Sequence, residues 1–369
     1  MSLMIGPAMP VPVSKDVLDA LASVEVTNTT DGPSLFQLRF TLNKNSILDT
    51  LFLVGGGASI PLVRVVVVVT LTGQPHVLVD GVMTRHEVTP GGSSQAPVLT
   101  ITGEDLTKVM TYLDFSGFPF PAMPREARVV IILAKYAMFG VIPLVIPSIL
   151  IDVPIPVQQI PRQQGKDLDY VQQLADEVGY VFYIEPGPAP GTSIAYWGPE
   201  IKVGVPQPAL NMDMDAQTNV ESLTFVYNSE NAKLPVVLIQ EPMSKAIIPI
   251  PIPDITPLNP PLGLVPPIPK DITVMDETAK YSPIRAALIG LARAARSNDV
   301  VTATGTLDVL RYGNILKARR LVGVRGAGRA FDGLYYVKRV THDLKRGQYK
   351  QSFTLSRNGL ISTLPTVPA

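Results

Sequence analysis

The chain has 369 residues, more than one ordinary hydrophobic core accommodates, so its length predicts two or three domains. It contains no cysteine, which excludes disulfide bonds, thiolate catalysis and zinc-thiolate sites, and its formal charge of zero provides no overall attraction for polyanions. Because 46% of the residues are hydrophobic and only 17% are charged, the composition fits a membrane protein or a chain that buries much of its surface against partners.

The first third of the chain predicts a small β-barrel or sandwich. Five short β-prone runs follow one another there, and turn formers such as Asp31-Gly-Pro and Pro90-Gly-Gly separate them. After the last run, Gly103 is predicted to begin a helix that carries two acidic residues in its first turn. The five runs are Ser23–Asn28, Leu35–Leu42, Leu62–Leu71, Val77–His86 and Val98–Thr102.

Residues 106–214 predict a mixed α/β region. Arg125–Phe139 has the pattern of a short helix, and the recurrent prolines that follow it predict extended chain. In the segment Gly165–Pro186, GKDLDYVQQLADEVGYVFYIEP, apolar residues recur at helical spacing up to Gly179, and an aromatic, β-branched run comes next. This segment predicts a helix that leads directly into a strand, with a second strand at Ser193–Trp197.

One segment, Val129–Ile151, has the length of a bilayer span and a single charge, at Lys135. Gly140, Pro143 and Pro147 would break a helix in its second half. We therefore expect a helix buried under neighbouring domains and no stable membrane insertion.

The last third, residues 215–369, predicts a second β-rich domain. It is interrupted by Pro242–Pro269, where ten prolines alternate with apolar residues and predict extended chain lying on a protein surface. Asp276–Arg296 predicts a helix. The predicted strands are Ser222–Asn228, Pro235–Glu241, Val300–Leu307, Arg319–Val324, Gly333–Leu344 and Tyr349–Ser356.

The layout is of the α+β class, mainly β, with a β-domain over 1–105, a mixed α/β domain over 106–214 and a second β-domain over 215–369 that carries the insertion at 242–269. Two similar β-rich blocks in one chain indicate an internal duplication of architecture. No residue-by-residue repeat between them is evident in the sequence.

The sequence contains no pattern that indicates catalysis or cofactor binding. It has no G-x-S-x-G, P-loop or strand-G-x-G-x-x-G-helix motif, and its glycine-rich stretch at 323–328 falls between two predicted strands, which indicates a turn. The histidines are scattered without a carboxylate cluster of metal-ligand spacing, so we interpret them as surface or interface residues. They are His76, His86 and His342.

Three pairs of acidic residues are candidates for carboxylate chemistry: Glu104 with Asp105, Asp167 with Asp169, and Asp213 with Asp215. The first two pairs lie in the first turns of predicted helices, where the helix dipole accounts for them. The third pair occupies alternate positions and would face one side, so it is a candidate cation site. We nevertheless predict no metal, cofactor or catalytic site and expect that the protein is not an enzyme.

From Arg311 to Arg357 the chain carries twelve Lys and Arg residues against two acidic residues. Such a block makes one face or lumen positive and could contact nucleic acid, an acidic partner or passing cargo, although strand faces with alternating basic residues are also commonly just solvated. The predicted interface residues are Arg311, Lys317, Arg319, Arg320, Arg325, Arg329, Lys338 and Arg339.

Four segments resemble, in the same order, elements of the late control protein D family of phage tails and contractile injection systems. The helix-strand unit over 165–185 is the most specific of them, and the closing segment GLYYVKRVTHDLKRGQYKQSFTLSRNGL over 333–360 is also strongly similar. GEDLTKVM over 103–110 and EARVVIILAKYAMFGV over 126–141 are similar to the elements between the two β-domains. The Pro-rich insertion at 242–269 departs from the family pattern.

This resemblance implies two β-barrel domains related to the tail-tube fold in each subunit. It implies a homotrimer in which six such domains form a pseudo-sixfold ring, the baseplate hub that joins the hexameric inner tube to a trimeric spike. Other baseplate components are then further partners, and no cofactor is involved. We expect synthesis in the bacterial cytoplasm, since the first sixteen residues lack the pattern of a signal peptide, followed by assembly into a phage tail or injection-system particle.

Three other functions compete with this interpretation. The basic block would suit a nucleic-acid-binding β-protein, which salt-dependent retention of DNA would reveal. A cell-wall hydrolase would need a carboxylate pair in a cleft, for which the sequence offers no context. A membrane-associated protein would use 129–151.

Overall fold

The computed structural model of the chain is mainly β, as the sequence predicts, with several sheets and short helices. It describes residues 1–42, 62–92, 96–148, 153–155, 157, 160–240, 247–252, 258–275, 286, 289–291 and 299–364. Most of the helix predicted over 276–296 lies outside the described residues. Those of its residues that are described, 286 and 289–291, are helical.

All five strands predicted in the first third are present, preceded by two short strands and a helix, α1, at Lys15–Ala20. The helix predicted from Gly103 was placed too early, because the last of these strands continues through Asp105. There the Asp105 carboxylate accepts a hydrogen bond from the backbone N–H of Thr107 and starts a 3-10 turn, Leu106–Thr111. The strands are β1 Ser2–Gly6, β2 Val11–Pro12, β3 Leu21–Thr29, β4 Leu35–Thr41, β5 Arg64–Leu71, β6 Gln74–Thr89 and β7 Val98–Asp105.

Strand β6 is long enough to belong to both β-layers formed by residues 1–105. Its second half pairs with β7, while its first half pairs with β5 and folds back over β3, where the Asn28 side chain donates a hydrogen bond to the Leu78 carbonyl at 3.2 Å. Buried residues of both layers, among them Val26, Leu38 and Val67, form one core. Each fully buried aliphatic side chain of this kind contributes roughly 1.5–3 kcal/mol.

The described part of the middle region has two α-helices and a three-stranded sheet around its own core, which contains the buried Trp197. Its first helix, α2 Arg125–Ala134, ends five residues before the predicted Phe139, and the chain then continues as the strand β8, Val141–Val145. The described part of the bilayer-length segment, residues 129–148, is thus divided between a helix and a strand. Among the described residues, no helix is both long enough and apolar enough to cross a bilayer.

The predicted helix-strand unit is present as α3, Asp167–Asp176, followed by β9, Val181–Pro186. Gly179 between them has a φ of 74°, the left-handed conformation that terminates a helix at glycine without strain. Strand β9 forms a hairpin with β10, Ser193–Gly198, and β8 pairs with the other edge of β10 in parallel.

Besides the helical residues at 286 and 289–291 and two 3-10 turns, the described residues from Gln207 onward form eleven strands and one short helix. They are β11 Gln207–Asn211, β12 Ser222–Tyr227, β13 Lys233–Gln240, β14 Ile247–Pro251, β15 Gly263–Val265, β16 Asp271–Met275, β17 Val301–Asp308, α4 Val309–Tyr312, β18 Leu321–Arg325, β19 Gly333–Lys345, β20 Gln348–Arg357 and β21 Leu360–Ser362. Strands β13, β14 and β16 form a separate small sheet, and β15 pairs with β21. The Pro-rich insertion therefore contributes two antiparallel strands, β14 and β15, and not only extended chain.

The two β-rich blocks are joined in one sheet of thirteen strands. Strand β19 of the last block pairs antiparallel with β3 of the first, so the described residues contain no closed barrel, and a continuous layer replaces the two separate barrels expected from the sequence. We call the pairing of β3 with β19 the seam.

The two blocks repeat the same strand order. In the first module, strands β3 to β7, the antiparallel neighbours run β3-β4-β7-β6-β5, and in the second module, β12 with β17 to β20, they run β12-β17-β20-β19-β18. A β-bulge interrupts the third pairing at the same place in both, immediately before Arg85 in one and Arg339 in the other. The structure therefore contains a residue-by-residue repeat that the sequence does not make evident.

Candidate assembly interface

The seam shows how one module contacts another. Seven residue pairs run from Ser23 opposite Lys345 to Thr29 opposite Arg339. The backbone N–H of Thr30 donates to the Lys338 carbonyl at 2.9 Å and extends the ladder by one bond. The contact is head to tail, because β3 is the first strand in the order of its module and β19 is the fourth.

Each seam strand has a counterpart that meets no described strand at the same edge. The counterpart of β3 is β12, which ends the sheet and pairs only with β17. The counterpart of β19 is β6, whose residues 84–89 pair with β7 on one side and with no described strand on the other. An unpaired edge presents a row of backbone donors and acceptors to another chain.

Exposure differs between the seam and these edges. His342 on β19 is 2% exposed, whereas its counterpart on β6, Val88, is 44% exposed. On β12, Val226 is 57% and Tyr227 is 43% exposed. Large apolar side chains are therefore exposed at both edges, and at the seam the counterpart of one of them, His342, is buried.

The face of the sheet that points away from the core is rich in hydroxyl groups. One row crosses five strands, and two pairs within it are hydrogen bonded, Ser222 with Thr306 at 2.8 Å and Thr27 with Thr341 at 2.9 Å. The row consists of Ser222, Thr306, Ser352, Thr341 and Thr27. The centre of this face therefore presents uncharged hydroxyl groups.

The eight basic residues predicted to form an interface do not form one patch. Arg319 is occupied inside the chain, since its guanidinium lies 4.1 Å from the centre of the Tyr183 ring and donates to the Thr29 carbonyl at 2.5 Å. Lys338 forms an ion pair with Asp299 at 2.7 Å. Although burial opposes its charge, this carboxylate raises the pKa of Lys338.

The other six basic residues are spread over five places. Arg320 lines the cleft described next, and Lys317 lines a separate small cavity. Arg311 lies in α4, Arg325 and Arg329 border the turn after β18, and Arg339 follows the bulge in the seam strand β19. The positive stretch of sequence is therefore distributed over several surfaces.

A cleft of about 630 Å³ lies between the middle region and the seam. Arg319, Arg320 and Lys338 line it together with acidic residues such as Glu104 and Asp176, so both signs of charge are present. One wall is β9, the edge strand of the middle sheet. This mixture does not favour an anionic ligand.

His342 and His76 both line a small cavity of about 50 Å³, whereas His86 lies on the uncovered edge of β6. Tyr349 and Gln351 surround the His342 ring, with the tyrosine oxygen 2.8 Å from Nδ1. Burial lowers the pKa of His342 to about 3, so the ring is neutral and structural. The pKa of His76 is lowered by burial and then by Lys317.

The acidic residues of the first two candidate pairs have structural roles or are exposed. Asp105 caps the 3-10 turn and accepts a 2.5 Å hydrogen bond from the Ser34 backbone N–H, and burial raises its pKa. Asp167 is buried and is contacted by Tyr136 at 2.6 Å and Lys135 at 2.5 Å, while Asp169 is exposed.

Asp213 and Asp215 lie in an exposed loop, both with positive φ, and not on one face of a strand. Within the described part of the chain, no three His, Asp or Glu side chains are grouped as metal ligands would be. The glycines at 326 and 328 form the turn between β18 and β19, as predicted, with φ values of 84° and 86°.

One buried ion pair was not expected from the sequence. Arg64 binds both carboxylate oxygens of Asp80, at 2.7 and 2.6 Å, and also donates to the carbonyls of Ala8 and Gly191. It thus links β5 and β6 to the amino-terminal segment and to the middle region. The sequence feature that could have indicated this ion pair is the single charged residue, Arg64, directly before the valine run at 65–69.

The fold of the whole chain is similar to that of solved tail proteins. A tail protein from Neisseria meningitidis MC58 matches with a TM-score of 0.64 and 13% identity, over 98% of this chain and 96% of that one. The 43 kDa tail protein of prophage MuSo2 from Shewanella oneidensis matches with a TM-score of 0.59 and 13% identity, over 97% and 98% of the two chains.

An E. coli component of the type VI secretion system, which has structural similarity to T4 bacteriophage tail proteins, matches with a TM-score of 0.50 and 12% identity over 95% of this chain and 76% of that one. No protein-family model and no curated protein matches the sequence. The chain has the fold shared by these tail and secretion proteins, which confirms at the level of the fold the resemblance predicted from its sequence.

Proposed function

We propose that the protein is the structural hub of a baseplate, in a phage tail or a contractile injection system. In this proposal three copies form a pseudo-sixfold ring that joins the hexameric inner tube to the trimeric spike. The tube protein, the spike protein and other baseplate components are its partners, and the assembled particle is its destination. The protein acts by its shape and contacts and carries out no reaction.

The observation that carries the proposal is the repeated module. Two modules with the same strand order lie head to tail in one sheet, so a single chain already contains one of the contacts that a ring needs. Heterologous contacts close into a ring when the rotation between units returns to its start. Six modules from three chains would match a sixfold tube, while the parts that occur once per chain would be repeated three times.

Two large parts that occur once per chain, the middle region and the Pro-rich insertion, leave the modules at the same end. The middle region begins after Asp105, which pairs with Ser34 beside the turn between β3 and β4. The insertion occupies the corresponding turn of the second module, between Asn228 and Val300, whose backbones are hydrogen bonded. We propose that this end faces the spike and the opposite end faces the tube.

The proposed division of the chain is a first tube-like domain over 1–105, a middle domain over 106–214 and a second tube-like domain over 215–369. The fold similarity over nearly the full length of two tail proteins supports it. The dispersal of the basic residues argues against a nucleic-acid-binding function. Retention of DNA by the purified protein at low salt would support that function instead.

Measurement of the particle mass in solution tests the proposal. Native mass spectrometry or light scattering of the purified protein alone should give three times the chain mass of 39.8 kDa, and addition of the tube protein of the same particle should give a larger complex that contains three copies of this chain. A ring with six similar lobes should be visible by electron microscopy. A protein that stays monomeric at all concentrations, with and without the tube protein, would overturn the hub function.

A further inference from the structure

We propose that the contact between copies is strand addition, in which residues 85–89 of β6 in one copy pair antiparallel with β12 of the next copy. This inference rests on the proposed ring and specifies the contact that closes it. The partner is a second copy of this chain, and the model for the contact is the seam inside each chain.

The first step is the equivalence of the two modules. In the first module, Leu38 on β4 lies opposite Val24 on β3. In the second module, Gly305 on β17 lies opposite Leu223 on β12. The same comparison through β7 and β20 makes Arg85 the counterpart of Arg339, since each follows the bulge.

A backbone hydrogen bond beside the bulge supports this equivalence. The N–H of Met83 donates to the Val63 carbonyl at 2.8 Å, and the N–H of Val337 donates to the Arg320 carbonyl at 2.9 Å. Because the side-chain period of a strand is two, a slip by one residue would turn every side chain to the wrong face. The register of the repeat is therefore fixed.

The second step transfers the register of the seam. Thr341 lies opposite Thr27 in the chain, and their counterparts are Glu87 and Val226. Glu87 of one copy is thus placed opposite Val226 of the next. By the same transfer, His86 lies opposite Tyr227 and Val88 lies opposite Phe225 of the next copy.

The third step is the fit of the side chains. Phe225 belongs to an aromatic cluster of the core, with ring centres 4.9 Å from Phe331 and 6.0 Å from Tyr335. Val88, now exposed, would cover this cluster as His342 covers the core residue Val26 at the seam. Burial of these apolar side chains together with a complete backbone ladder satisfies both edges.

Cysteine cross-linking tests the register, and the absence of native cysteine leaves no competing thiols. The test variant is Glu87→Cys with Val226→Cys, and the geometric control is Thr27→Cys with Thr341→Cys, whose hydroxyl oxygens are 2.9 Å apart within the chain. Under mild oxidation the control should form a disulfide within each chain. The test variant should form covalent oligomers up to a closed trimer, and reduction with dithiothreitol should return them to single chains.

A register control uses Glu87→Cys with Thr224→Cys, which faces the same side two residues away. This variant should cross-link at least tenfold more slowly than the test variant. Equal rates for the two, or no cross-link in the test variant while the geometric control closes and the mass remains trimeric, would overturn the strand pairing and leave the hub function standing. A monomeric mass would overturn both.

A second variant does not depend on disulfide geometry. Val88→Asp places a carboxylate in the proposed contact but on a residue that is exposed in the single chain, so the chain itself should fold. We expect it to weaken the association of copies at least tenfold in dilution experiments. The matched control Val205→Asp changes a residue that is 92% exposed and lies away from both edges, and it should keep the trimer. A Val88→Asp protein with unchanged association would contradict the proposal.

Discussion

Thr27 and Thr341 lie opposite each other across the seam with their hydroxyl oxygens 2.9 Å apart, although 314 residues separate them in the chain. Neither residue stands out in the sequence, since both belong to ordinary β-prone runs. Their contact makes two modules parts of one sheet. A loss of packing at the seam should therefore destabilise both modules.

The seam should control the stability of both modules together. Val340 is fully buried on β19 beside the seam. We expect Val340→Ala to lower the free energy of unfolding by about 2–3 kcal/mol, from lost burial and the cavity left behind. Denaturant titration, monitored by circular dichroism, measures this free energy of unfolding. Val205→Ala, at an exposed valine, should change the value by less than about 0.5 kcal/mol. Equal effects of the two would contradict this role of the seam.

Acid should destabilise the protein through His342. Its pKa is about 6.5 in the unfolded chain and about 3 in the folded protein. The unfolded state therefore binds more protons between these values, so stability is full above pH 6.5 and is lost as the pH falls toward 3.

For a fully buried group this loss amounts to about 2 kcal/mol between pH 7 and pH 5. His342→Gln should remove that part of the pH dependence, whatever its effect on stability at pH 7. Unfolding curves at both pH values for the two proteins provide the measurement. An unchanged pH slope in the variant would show that other groups are responsible.

The ion pair of Arg64 and Asp80 should be sensitive to the loss of one partner. Arg64→Met leaves a buried carboxylate and two carbonyls without their donor, and we expect a loss of about 3–5 kcal/mol in the free energy of unfolding. Replacing both partners, with Arg64→Met and Asp80→Leu, should cost less than the sum of the single changes.

An exposed pair provides the control for that double-mutant cycle. Lys270 and Glu230 are 2.7 Å apart, but both side chains are at least half exposed. Lys270→Met should change stability by less than about 1 kcal/mol. If the double variant at Arg64 and Asp80 costs as much as the two single changes added, the pair is not coupled.

Two neighbouring arginines should behave differently. Arg319→Ala removes the ring contact with Tyr183 and the hydrogen bond to Thr29, so we expect a loss of about 1–3 kcal/mol in stability. Arg320→Ala, at an exposed position, should stay within about 0.5 kcal/mol.

Arg319 also has a φ of 60°, which is strained for a side chain with Cβ. Arg319→Gly should therefore lose less stability than Arg319→Ala. Thermal unfolding of the three variants ranks them. Equal losses for the alanine changes at Arg319 and Arg320 would indicate that the buried contacts contribute little.

Sequence patterns predicted most single elements because their causes are local. The valine run at 65–69 and the turn formers around it specify strands, and Gly179 specifies where α3 ends. The end of β7 was missed, since it depends on Asp105 reaching Ser34, a contact between distant residues. The basic block was predicted as one interface because neighbours in sequence were taken as neighbours in space. Its strands instead carry these residues to different sides of the sheet.

The sequence by itself determined the mainly β class, the helix-strand unit of the middle region and the succession of two β-rich blocks, because periodicity, turn residues and helix ends act over a few residues. Only the tertiary structure decided that the blocks share one sheet, that they repeat the same strand order and that two strand edges meet no other strand among the described residues. Those features depend on which strands pair, and pairing is selected by burial between segments hundreds of residues apart. The local sequence carries no record of that choice.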